Sequence, residues 1–180
     1  MIERTLKVLM LEDLKTDQEL IKRGVLKAAP EAVFIIASNQ EEFEDKINWV
    51  GPDIILADYN VPGYNGLEAL LLVREKMPHV PFVFVTGSLN DEEKVAETIL
   101  NGASGYILKG NLSELPDKIE HVLVREEKRF KEREAQVQKQ RRKKLLLQKL
   151  NALIENSSEF SNKKDAVDIM QEVLQITGVQ

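Results

Sequence analysis

The chain has no cysteine. That absence excludes a disulfide framework, a thiolate zinc site, an iron–sulfur cluster and a cysteine nucleophile, and it fits a reducing, cytoplasmic setting. No apolar run approaches the ~18 residues that a spanning helix needs, so no membrane partner is expected. The N-terminus, Met1-Ile2-Glu3-Arg4, lacks the basic-then-apolar order of a signal peptide. Positive charge is scarce at the front: residues 1–124 hold 12 Lys and Arg against 21 Asp and Glu. Phosphate backbones demand the opposite sign, so no nucleic-acid partner is expected either. What is present suffices for a core, since 43% of the 180 residues are hydrophobic and 31% charged. The net charge of −5 divides into −9 for residues 1–124 and +4 for residues 125–180, an acidic globular module followed by a differently built extension.

Apolar runs and amphipathic stretches alternate through the first 120 residues. Strands are predicted at 6–11, 33–37, 53–57, 82–86 and 106–108. The runs Ile54-Ile55-Leu56 and Phe82-Val83-Phe84-Val85 are continuous rather than alternating, as in a parallel sheet covered on both faces. Between them, Leu20, Ile21, Gly24, Val25 and Ala28 share one helical face. Leu67, Leu70, Leu71 and Met77 do so less strictly, and Val95, Ile99 and Leu100 form another. Trp49 and Phe43 are expected to pack the second helix. Thr16 with Glu19, and Asn90 with Glu93, have capping-box spacing, and Gly102 after Asn101 marks a helix stop. Five strands alternating with helices predict a flavodoxin-like, doubly wound (βα)5 fold with a five-stranded parallel sheet. In such sheets the reactive loops gather at the carboxyl ends of the strands.

Those ends carry Glu12-Asp13 after the first strand, Asp58 after the third, Thr86 at the fourth and Lys109 at the fifth. Any one of them alone reads as an ordinary loop residue. Together, three acids crowded at one edge repel: two like charges near 4 Å cost about 4 kcal/mol at an effective dielectric near 20. A hard divalent cation would neutralise them, and with oxygen ligands only, Mg²⁺ is the natural choice.

The chain here resembles the receiver domain of two-component response regulators over roughly residues 4–124. The resemblance rests on Glu12-Asp13, on Asp58-Tyr-Asn-Val-Pro62-Gly-Tyr-Asn-Gly66, on Thr86-Gly87, on Gly102-Ala-Ser-Gly-Tyr106 and on Lys109, in that order and spacing. It implies that Asp58 accepts a phosphoryl group from a histidine kinase or histidine phosphotransfer protein. Glu12, Asp13, Asp58 and the backbone carbonyl of Asn60 would then hold Mg²⁺. Thr86 and Lys109 would bind the phosphoryl group, and Tyr106 would be the switch aromatic, the alternative being a half-buried tyrosine that stabilises the last strand. Pro62 and Gly66 suit the turn after the third strand. Asn60 and Ser88 would tune hydrolysis. One departure is Gly110, where the family usually has proline, often with a cis bond, after the lysine; a flexible joint would replace a fixed turn.

From Ser113 the pattern reads as helix, with Leu115, Ile119, Val122 and Leu123 on the last receiver helix and Pro116 in its first turn. No breaker follows before about Glu155, some 40 residues and near 60 Å if straight. Residues 125–144 carry 10 basic and 4 acidic side chains. Leu123, Phe130 and Val137 keep a seven-residue spacing, while Leu147, Leu150 and Ile154 resume in a shifted phase, a stuttered coiled coil suited to homodimerisation. Lys139 to Lys144 reads as a solvated face and His121 as a surface histidine. Ala166, Ile169, Met170, Val173 and Leu174 form a further apolar stripe. Residues 150–179 resemble the opening helix of a GAF-type, or else PAS-type, sensory domain. The expected organisation is a receiver domain at 1–124, a helical or coiled-coil linker at 125–155 and an amphipathic helix at 156–180, the start of a second domain in a longer signalling protein. Two other functions fit parts of the pattern. One is a phosphorylation-independent dimerisation scaffold, against which the acidic pair argues. The other is a haloacid-dehalogenase-type phosphatase, which would need a second aspartate where Asn60 stands.

Overall fold

The computed structural model describes residues 2–87, 98–156 and 168–173. In chain order the elements are β1 (Lys7–Leu11), α1 (Lys15–Ala28), β2 (Val33–Ala37), α2 (Gln40–Trp49), β3 (Ile54–Ala57), β4 (Asn60–Val61), β5 (Tyr64–Asn65), α3 (Gly66–Lys76), β6 (Phe82–Thr86), a helical turn at 98–100 (α4), β7 (Gly105–Leu108), a 3₁₀ helix (Lys109–Glu114) and α5 (Leu115–Asn156). Five strands form one parallel sheet in the order β2-β1-β3-β6-β7, and β4 and β5 form a small antiparallel ribbon.

The continuous apolar runs are explained by two cores, one on each face of the sheet. Alternate residues of a strand point to opposite faces. Leu9, Leu11, Ile55, Ala57, Phe82 and Phe84 therefore pack with Phe43, Ile47, Leu70 and Val73 of α2 and α3. Val8, Met10, Ile54, Leu56, Val83 and Val85 pack on the other side with Ile21 and Val25 of α1 and Leu115, Ile119 and Val122 of α5. Gly24 lets α1 lie close to the start of α5, since a Cβ there would meet Leu115 Cδ2 at 2.8 Å.

Several local expectations are corrected. Helix α1 begins at Lys15, so Thr16 lies inside it; Leu14, at the cap position, makes no side-chain cap bond, and Glu19 pairs with Lys22 at 2.7 Å. The second pairing, Asn90 with Glu93, lies outside the described residues, as does Val95. The observed caps are Asn39, which accepts from the Glu42 N–H at 2.9 Å, and Asn65, which accepts from the Leu67 N–H at 2.9 Å. Leu20 and Leu71 are half-exposed and Trp49 is 82% exposed, whereas Phe43 is fully buried. Gly102 ends α4 with φ of +93°, in the left-handed region expected of a helix stop.

Two compact units divide the chain, Met1–Glu127 and Lys128–Gln180. α5 runs unbroken through the boundary between them. Within the second unit, Phe130 and Val137 are close to half exposed, Leu146 is buried, and Arg142 pairs with Glu172. The helical residues 168–173 leave Ile169 and Val173 half-buried and Met170 exposed, while Ala166 and Leu174 lie outside the described residues.

Candidate functional site

In the strand order, β1 and β3 are neighbours although β2 and α2 intervene in sequence. The chain thus reverses direction across the sheet at β1, and the crevice at such a switch point is where doubly wound folds place their sites. Leu11 is paired with Ala57, so the residues that follow each strand, Glu12 and Asp58, emerge side by side. The Asp58 N–H donates to the Leu11 carbonyl at 2.8 Å, tying the two loops together.

Glu12 is fully buried and Asp58 nearly so. Leu14 N–H donates to Glu12 Oε1 at 3.1 Å, and the buried Gln18 amide donates to the Glu12 carbonyl at 2.7 Å, fixing the loop from α1. Asn60 N–H donates to Asp58 Oδ1 at 3.2 Å. From the end of β7, Lys109 reaches into this group. Its Nζ lies 2.7 Å from Glu12 Oε2, 2.6 Å from Asp17 Oδ2 and 2.8 Å from Asp58 Oδ2. The contacts with Asp17 and Asp58 are hydrogen bonds, whereas Glu12 Oε2 meets the ammonium as an ion pair and has no hydrogen bond among the described residues. Thr86, at the end of β6, is fully buried, and its hydroxyl also lacks a hydrogen bond among the described residues.

Charge explains the arrangement. Burial pushes the Glu12 carboxyl above its usual range, an effect that the Lys109 ammonium and Leu14 N–H only partly offset. Burial would likewise lower the Lys109 ammonium, but its contacts with the Asp17, Asp58 and Glu12 carboxylates outweigh that and hold it above the ordinary lysine value.

Of the residues singled out in the sequence, Glu12, Asp58 and Lys109 are thus in contact. Asp13 is half-buried and forms no ion pair with the lysine. Gly110 leaves Lys109 placed against the acids through the 3₁₀ helix that begins at the lysine itself. Exposed Pro62 sits in the turn of the β4–β5 ribbon, where Gly63, with φ of +73°, supplies the positive φ. Gly66 serves a different need: a Cβ there would lie 2.7 Å from the Asp58 carbonyl oxygen and 2.8 Å from Tyr59 Cα. Tyr106 is 36% exposed, with Lys118 Nζ 5.9 Å from its ring centroid. Ser88 lies outside the described residues, and His121 is exposed.

The sequence pattern carries no signal for Asp17 and Gln18. Asp17 lies four residues past Asp13, in the first turn of α1, where an acid reads as a partner of the helix dipole. Only the fold reveals that this turn faces Lys109.

The donor set suits a hard cation: carboxylate oxygens from Glu12, Asp13 and Asp58, one of them buried and without a hydrogen bond. As the side chains stand, no three acidic or histidine residues among those described are arranged to hold a metal ion, and Lys109 supplies the central positive charge.

Comparison with known proteins agrees with this fold. Residues 8–120 match the response regulator receiver domain family. The nitrate/nitrite response regulator protein NarL of Escherichia coli is 38% identical over 97 residues, covering 52% of this chain and 44% of NarL. The chain spans about half the length, or less, of the curated relatives it matches first. In fold it is similar to a CheY-like receiver domain protein from Methanospirillum hungatei, with a TM-score of 0.63 and 24% identity over 70% of this chain and 99% of that one. It is also similar to the Mn(2+)-bound form of response regulator Rcp1, with a TM-score of 0.54 and 21% identity over 62% of this chain and 90% of that one. The five-stranded parallel sheet with its flanking helices, the acids and lysine gathered at the switch point, and a match across most of the first unit lead to one conclusion: the chain belongs to the response regulator receiver domain family of two-component signalling.

Proposed function

We propose that Asp58 is the phosphoacceptor, taking a phosphoryl group from a histidine kinase or histidine phosphotransfer protein in a Mg²⁺-dependent reaction. One observation carries this reading: the nearly buried Asp58 carboxylate is held by Lys109 at 2.8 Å, at the switch point, with buried Glu12 on the same ammonium. In the transfer, an Oδ atom of Asp58 forms a P–O bond as the P–N bond to the donor imidazole breaks. The imidazole keeps the electron pair and takes a proton, and nothing is oxidised or reduced. Such transfer depends on alignment and charge neutralisation more than on covalent work by the protein. Glu12, Asp13, Asp58 and the Asn60 carbonyl would hold Mg²⁺, which when bound neutralises phosphoryl oxygens. Lys109 supplies the second positive charge, and the Thr86 hydroxyl, buried without a hydrogen bond among the described residues, can donate to a phosphoryl oxygen.

Asn60 and Ser88, two residues beyond Asp58 and Thr86, tune hydrolysis of the acyl phosphate, so the chain acts catalytically only on itself. Tyr106, half-exposed on β7, moves inward as Thr86 turns toward the phosphoryl group. A phosphoryl group adds about −1.5 to −2 charges. Driving an element from 1:99 to 99:1 requires roughly 5.5 kcal/mol of differential interaction, of the order that a charge-assisted bond and an ion pair together supply. The change passes into α5 and its extension, whose half-exposed Phe130 and Val137 support a coiled-coil homodimer. Residues 156–180 open a GAF- or PAS-type domain, the receiver domain being residues 1–124.

The test is incubation with acetyl phosphate, or with beryllofluoride, in the presence of Mg²⁺. A mass increase of one phosphoryl group, or a ligand-induced spectral shift, is expected for the wild type and absent in Asp58→Asn. An equal response in both overturns the assignment, and turnover of an external phosphate ester would favour a phosphatase.

A further inference from the structure

The third partner of Lys109 has no part in that reaction. Asp17 Oδ2 lies 2.6 Å from Nζ, against 2.7 Å for Glu12 and 2.8 Å for Asp58. An ammonium has three N–H donors, and three carboxylates surround this one. Asp17 takes one of its two hydrogen bonds and Asp58 the other, so a phosphoryl group on Asp58 draws the ammonium away from Asp17 and Glu12. Glu12 is the costliest to abandon, because its side chain is fully buried and an uncompensated buried charge is expensive. Asp17 is 22% exposed at its side chain and can be rehydrated, so it is the partner most cheaply released. Its backbone is fixed in the first turn of α1, which directs the pull on the ammonium toward that helix.

We propose that Asp17 is a positioning residue that shares Lys109 with the acceptor site and competes with a phosphoryl group on Asp58 for the ammonium. The inference rests on the phosphoacceptor reading and adds a residue that sets the strength of the switch. Removing the charge while keeping the shape, as in Asp17→Asn, frees the lysine for the phosphoryl group. Asp17→Glu restores the charge. Glu19→Gln removes a different acid from the same helix, one that pairs with Lys22, and so controls for net charge.

The experiment measures beryllofluoride affinity at saturating Mg²⁺ for the wild type and these three variants, with circular dichroism to confirm folding. It also follows the Lys109 ammonium by ¹⁵N NMR without ligand, a signal that a purely structural role for residue 17 would not move. Asp17→Asn is expected to bind beryllofluoride about 2- to 5-fold tighter, the range of one partly exposed ion pair. Its ammonium signal is expected to shift. Asp17→Glu should return both readouts toward wild type, and Glu19→Gln should change neither. Equal tightening in Asp17→Asn and Glu19→Gln overturns the inference, because bulk charge would then explain it. Unchanged or weaker binding in a folded Asp17→Asn also overturns it, alone, if the wild type binds. A wild type that does not bind beryllofluoride overturns the phosphoacceptor reading and the competition with it.

Discussion

Lys109 is one cation set among three carboxylates, and its removal would leave Glu12 and Asp58 buried without it. Breaking a fully buried pair costs about 3–5 kcal/mol, and the 16% exposure of the lysine side chain reduces that, so Lys109→Met is expected to lose about 1–3 kcal/mol in denaturant unfolding. Mg²⁺ should then raise the melting temperature of Lys109→Met more than that of the wild type; no difference between them would count against a cation site formed by these acids. The pH dependence has a definite sign. The folded pKa of Lys109 is raised, so its stabilisation is complete below the ordinary value of 10.5 and is lost as pH rises through the higher folded value. An alkaline loss of stability above about pH 10.5 that is missing in Lys109→Met is the expected result. Gly66→Ala would drive a Cβ to 2.7 Å from the Asp58 carbonyl and is expected to cost about 1–3 kcal/mol, read from the denaturation midpoint. At this scale the strand-end positions of Glu12, Asp58, Thr86 and Lys109 are legible because rare polar residues close apolar runs. Asp17 is not, because its role depends on which way a helical turn faces.

Each strand of the main sheet was found within a residue of its predicted bounds, for a physical reason: burial on both faces leaves an unbroken apolar run that few other environments produce. Helix faces are less legible. Leu20, Leu71 and Trp49 are apolar yet exposed, and periodicity alone does not separate a core stripe from apolar residues beside it. Cap positions are ambiguous for a similar reason. Thr16 has capping-box spacing to Glu19, but the chain enters the helix before it, while Asn39 closes α2 with Glu42. The Glu42 carboxylate reaches back to the Ser38 N–H at 3.2 Å, which makes this cap two-sided. Asn39→Ala is therefore expected to cost about 1 kcal/mol, measured by thermal unfolding, and an unchanged midpoint would refute the cap's role.

Across the whole molecule, the charge changes sign after residue 124 and the compact units divide after Glu127, three residues on. Both apolar cores lie within residues 1–127. A chain ending at Glu127 is accordingly expected to keep its circular dichroism spectrum and melt cooperatively. Sedimentation should find the 180-residue chain dimeric and the shortened one monomeric, and a monomer in both would remove the coiled-coil reading. The central claim concerns a single carboxylate and has a direct chemical test. After treatment with acetyl phosphate and Mg²⁺, borohydride reduces an acyl phosphate to an alcohol, leaving homoserine in place of the phosphorylated aspartate, and peptide mass spectrometry locates it. Homoserine at position 58 and at no other acidic position is the expected result; homoserine at another position, or none under conditions that phosphorylate a control receiver, would contradict the account.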